Sequence, residues 1–95
     1  MLMEIPRNFF ENNHIVKKLN LANNQIRTLR PEVFQPMRQL EELDLSGNML
    51  KTFNKRLLKN SQKLKYLNLS NNQLGPSLQK WAFHRLPQML ELNLR

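Results

Sequence analysis

Leu40-Glu-Glu-Leu43-Asp-Leu45-Ser-Gly-Asn48-Met-Leu50 is the stretch on which the fold turns. Leu43 and Leu45 stand two apart, so in an extended chain they share one face, while Glu42, Asp44 and Ser46 take the other. The pattern occurs 24 residues earlier as Val16-Lys-Lys-Leu19-Asn-Leu21-Ala-Asn-Asn24-Gln-Ile26. It returns 24 residues later as Leu64-Lys-Tyr-Leu67-Asn-Leu69-Ser-Asn-Asn72-Gln-Leu74. A fourth copy opens at Met89, one residue late, with Leu92 and Leu94 in register; the extra residue is placed near Gly75-Pro76. Each copy predicts one short strand with its apolar side inward. Such strands pair in parallel only if the chain crosses back between them. The return stretches carry their own anchors: Leu29 and Phe34; Phe53, Leu57 and Leu58; Leu78, Trp81 and Phe83. Stacking coil on coil buries a continuous core that no single copy could bury.

Asn24, Asn48 and Asn72 follow the strands, where the backbone turns inward and its N–H and C=O groups need partners. An amide side chain offers two donors and an acceptor for that task. The pattern L-x-x-L-x-L-x-x-N-x-L resembles the leucine-rich repeat, in the 24-residue form seen in extracellular receptors and matrix proteins. The resemblance covers Val16 to Arg95 directly. Residues 1–15 fit the second half of a preceding repeat: Leu2, Ile5 and Phe10 stand 24 residues before Ile26, Leu29 and Phe34, and only Pro6 against Arg30 departs. One domain over 1–95 follows, with a half repeat at 1–15, full repeats at 16–39, 40–63 and 64–88, and the start of another at 89–95. The resemblance implies an α/β solenoid, a right-handed horseshoe. Its short parallel strands line the concave face, and irregular, 3₁₀ or short helical returns form the convex face. It also implies that the three asparagines form a ladder between neighbouring coils. Pro31 and Pro76 suit turn or first-turn positions, and Asn54 is placed to cap a short helix over 55–59.

Composition narrows the chemistry. Of 95 residues 15 are Lys or Arg and 7 are Asp or Glu, a net charge of +8, and none is cysteine. That removes disulfides, Cys-ligated zinc and a Cys nucleophile. Gly47 and Gly75 are too far apart to build a phosphate-cradling loop. His14 and His84 lie in return segments with no partner spaced for a triad or metal pair. Glu42 and Asp44 share a strand face, but an acidic patch for a basic partner is the better reading than a cation site. No enzyme, cofactor or metal is expected. No apolar run is long enough to span a membrane, and Met1–Phe10 lacks the pattern of a secretory leader.

The charge is unevenly placed. The four strand segments carry four bases and four acids, so the whole +8 lies elsewhere. A partner-binding site is predicted on the outward strand residues Lys18, Asn20, Glu42, Asp44, Tyr66, Asn68, Glu91 and Asn93, for a protein ligand; the resemblance implies the same surface. Tyr66 is the one aromatic among them, and Tyr is enriched at binding hot spots. The alternative is a polyanion (heparan sulfate, anionic lipid or RNA) bound through Lys51, Lys55, Arg56, Lys59 and Lys63 on the return side. Nucleic acid fits poorly, since no exposed aromatics interleave with those bases. Asn68-Leu69-Ser70 matches the N-glycosylation sequon, but the repeat itself generates those letters. The chain opens in mid-repeat and closes in mid-strand without caps. A piece of a longer array, extracellular or at the cell surface, is therefore expected. The competing readings are a complete cytoplasmic chain and end-to-end pairing with a second copy or partner.

Overall fold

Among the described residues the regular structure is four three-residue strands and two 3₁₀ turns: β1 Lys18–Asn20, Pro31–Val33, β2 Glu42–Asp44, Lys55–Leu58, β3 Tyr66–Asn68 and β4 Glu91–Asn93. This computed structural model describes residues 10–12, 14–53, 55–74 and 91–93, with side chains for all of these except 31, 55, 56 and 91–93. The strands form one parallel sheet in the order β1-β2-β3-β4. Leu19 pairs with Leu43 and Leu43 with Leu67, at the 24-residue step. Leu67 then pairs with Leu92, so the longer third step is absorbed between β3 and β4 without a slip in register. A one-residue slip would have turned the whole leucine set outward.

Backbone pairing between coils extends well past the strands. At the entry, the Lys17 carbonyl accepts from both Glu41 and Glu42 N–H, and the Glu41 carbonyl from Lys65 and Tyr66. At the exit, Leu21 and Asn23 N–H reach the Asp44 and Ser46 carbonyls, and Leu45 and Gly47 reach Asn68 and Ser70. The sharp bend after each strand uses left-handed backbone at Asn23, Gly47 and Asn71, with φ of 59°, 67° and 57°. Asn and Gly are the residues that enter this region at least cost. Gly47 has a second reason: a Cβ there would run into the Asn23 side chain of the preceding coil.

The asparagine ladder forms. Asn48 donates from Nδ2 to the Leu45 carbonyl of its own coil at 2.9 Å and to the Leu21 carbonyl of the preceding one at 3.0 Å. Its Oδ1 accepts from Ile26 N–H at 3.1 Å. Asn72 repeats this one coil on, to Leu69, Leu45 and Leu50 N–H. Asn24 holds the Leu21 and Ala22 carbonyls of its own turn.

The returns are 3₁₀ turns; no α-helix occurs among the described residues. Pro31 opens the first, where its fixed φ suits a first turn and its missing N–H costs nothing, and Val33 N–H closes it on the Arg30 carbonyl at 3.0 Å. Leu57 and Leu58 take the places of Val33 and Phe34 one coil later, and all four are buried. With Ile26, Met37, Leu40, Leu43, Leu45, Leu50, Phe53, Leu64, Leu67 and Leu69 they form a single core. Phe10 stacks on Phe34 at 6.1 Å between ring centroids. Leu19 is only half-buried, and among the described strands β1 has a neighbour on one side alone. The cap at Asn54, the packing of Leu78, Trp81 and Phe83, and His84 lie outside the described residues.

Candidate functional site

The register turns scattered residues into two rows. Lys18, Glu42, Tyr66 and Glu91 stand side by side across the sheet, one from each strand, and Asn20, Asp44, Asn68 and Asn93 form the second row two residues on. β1, β2 and β3 together line a shallow groove of about 420 Å³. All eight residues predicted for the site are therefore brought onto one sheet face by the backbone; the side chains of Glu91 and Asn93 are outside the described part. Tyr66 is 39 % exposed at the centre of its row, and it is the one large aromatic so exposed among the described residues.

The rows differ in chemistry. In the first, the Lys18 ammonium meets the Glu42 carboxylate at 3.2 Å. Both groups are well exposed, so the pair adds little stability, at most about 1 kcal/mol. In the second, each side chain is partly committed to its own turn. Asn20 Oδ1 accepts from Ala22 N–H at 2.9 Å. Asp44 Oδ1 accepts from the N–H and hydroxyl of Ser46, at 2.9 and 2.6 Å. Asn68 does the same with Ser70, at 3.0 and 2.7 Å. These are Asx turns, in which a short polar side chain mimics backbone and bends the chain. The alternation in the sequence predicts these residues as ligand contacts and does not predict their turns. The signal is present in the sequence, since Asn or Asp stands two residues before a small residue in the first three copies. The sequon at Asn68 is one instance of that turn, and Asp44-Leu45-Ser46 builds the same one without being a sequon.

The basic return is not one continuous helix among the described residues. Only Lys55–Leu58 is helical, so the four-residue spacing of Lys51, Lys55, Lys59 and Lys63 gives no common face. Lys51 lines a groove after the Asn ladder with Arg27, Thr28, Met49, Thr52 and Gln73. Lys63 lies at the strand entry and donates to Gln39 Oε1 at 2.8 Å. Lys59 is exposed, and the side chains of Lys55 and Arg56 are outside the described part. His14 lies exposed beside the Pro36 carbonyl at 3.3 Å. Among the described residues no group of three His, Asp or Glu could hold a metal ion, and no helix is long and apolar enough to cross a membrane.

Parallel one-strand coils, a leucine core and an Asn ladder define a repeat solenoid, a class that works by surface recognition. The chain belongs to the leucine-rich repeat family: the family described as Leucine rich repeat matches residues 2–50, and a second, Leucine Rich repeat, matches 60–77. Repeats of this family commonly serve as protein-binding modules. Among solved structures the chain is similar to one of the Toll–Spätzle complex from Drosophila, with 26 % identity over 99 % of this chain and a TM-score of 0.88. It is also similar to a leucine-rich repeat protein of Leptospira interrogans, with 35 % identity over 99 % of this chain and a TM-score of 0.82. The chain spans 14 % and 23 % of those two chains. No curated protein sequence matches it.

Proposed function

We propose that this chain is a non-enzymatic recognition module that binds a protein partner across the strand face. The observation that carries the reading is the alignment of Lys18, Glu42 and Tyr66 beside Asn20, Asp44 and Asn68 along one groove. A tyrosine set among polar groups is the arrangement typical of a binding hot spot, because its ring is rigid and carries a polar tip. Glu42 is already paired with Lys18, whereas Asp44 has no cationic partner among the described residues, so the row favours a basic group on the ligand. The similar Toll structure is that of a complex with Spätzle, a precedent for a protein ligand on this fold.

The Asx turns dictate the right substitution. Asp44→Ala would remove the charge and the turn together. Asp44→Asn removes the charge and keeps the acceptor, as Asn68 demonstrates one coil on. Affinity capture is therefore run with the wild-type chain and a Tyr66→Ala/Asp44→Asn variant side by side, and proteins retained by the wild type are titrated against both. Tyr66→Ala alone is expected to cost about 1–2 kcal/mol of affinity or more. A partner held equally by wild type and double variant places binding elsewhere.

A further inference from the structure

Arg27 and Lys51 are 24 residues apart in the chain and occupy the same position on neighbouring coils. The backbone there is fixed: Met49 N–H donates to the Ile26 carbonyl at 2.9 Å, and Gln73 N–H to Leu50 at 2.8 Å, just past the asparagine ladder. The two cations flank a groove of about 390 Å³ whose other walls are Thr28, Met49, Thr52 and Gln73. Among the described residues no acid lines it and neither cation makes an ion pair. This is unlike the strand face, where Lys18 is paired with Glu42, and unlike the strand entry, where Lys65 approaches Glu41 at 3.8 Å.

We propose that this groove binds a linear sulfated glycan, with Arg27 and Lys51 each holding a sulfate group and the Thr28 and Thr52 hydroxyls donating to the same oxyanions. Adjacent coils stand about 5 Å apart, so the two cations form a ladder of closely spaced positive charge, which a densely sulfated chain can match group for group. Guanidinium is suited to the task, since its fork donates two parallel hydrogen bonds to one oxyanion. The walls argue against other polyanions. Among the described residues no aromatic side chain lines the groove to stack a base, which single-stranded nucleic acid uses for much of its affinity. Met49 is the one apolar side chain among its described walls, too little to enter a bilayer.

The test is calorimetric titration of the 95-residue chain with a heparin-derived octasaccharide at about 0.15 M salt, where surface charge is already well screened. The same titration is run with the desulfated octasaccharide and with a dT12 oligonucleotide. Arg27→Gln/Lys51→Gln is compared with Lys17→Gln/Arg38→Gln, which removes the same charge at exposed positions elsewhere. The expected result is loss of about tenfold or more in affinity for the first variant and under about threefold for the second, and no binding of the desulfated chain. The slope of log K against log salt is expected to fall by about two charges' worth in the first variant alone. Tyr66→Ala leaves the octasaccharide affinity unchanged, so failure here and failure of the strand-face reading are read separately. Absence of wild-type binding, equal loss in both double variants, or dT12 bound as tightly as the octasaccharide overturns the proposal. Unchanged urea midpoints in both variants keep a folding defect out of the comparison; if the Gln pair unfolds, Arg27→Lys/Lys51→Arg must retain affinity or the proposal fails.

Discussion

Asn48 and Ser61 are both buried and polar, at 6 % and 0 % exposure, and their accounts come out oppositely. Every polar atom of the Asn48 amide is used, and its partners belong to two coils. Truncating it leaves Ile26 N–H without a partner in the interior and takes one of two donors from the Leu21 and Leu45 carbonyls, which keep Asn24 and Asn72. Each orphaned group costs about 1–3 kcal/mol. Ser61 Oγ has no hydrogen-bond partner among the described residues, and one coil earlier the same position holds Met37 in the core. Its hydroxyl was desolvated for no return. In urea melts, Asn48→Ala is therefore expected to lose about 2–4 kcal/mol, while Ser61→Ala stays within about 0.5 kcal/mol of wild type or gains. A large loss for Ser61→Ala would mean that the hydroxyl has a partner after all.

The strand-and-bend unit is where residue type and role diverge. The leucine alternation was legible because a period of two has one structural meaning; the short span from Leu50 to Leu64 limited the return to a turn or two, and the resemblance to the family, not the spacing, pointed to irregular or 3₁₀ structure there. Asn20, Asp44 and Asn68 were legible only in part. Their outward placement follows from alternation, but residue type does not say which carboxylate or amide oxygen turns back to the chain. That is decided by the Asx turn, which the left-handed Asn23, Gly47 and Asn71 then complete. These positions thus serve the bend even before any ligand arrives. At the element scale, Asp44→Ala is expected to lower stability by about 1 kcal/mol through loss of the Ser46 contacts, with Asp44→Asn near wild type. Thermal melts of the two variants check this; equal losses would show that the charge, not the turn, holds the bend.

On the scale of the whole molecule, neighbours along the chain matter less than neighbours one period away. The run from Lys51 to Lys63 looks like one basic block in sequence, yet the coil sends Lys51 to Arg27 and Lys63 to Gln39. The same period sends Lys18 to Glu42. No local pattern contains those pairings; they exist only once each coil has a coil beside it. Stability inherits this one-dimensional order, since each coil touches only those before and after it. The second coil, with Leu43, Leu45 and Asn48, supports contacts on both sides, whereas Leu21 supports β1 and its contact with β2. Hydrogen exchange can resolve the difference, because local openings follow such units. Leu45→Ala, costing about 2–5 kcal/mol, is expected to speed exchange of the Leu21, Asn23, Leu45 and Gly47 amides together. Leu21→Ala is expected to speed the first two most and to leave Leu45 and Gly47, which bond to the third coil, the better protected. If both variants accelerate all four amides alike, the coils open as one unit, and nearest-neighbour additivity does not describe this solenoid.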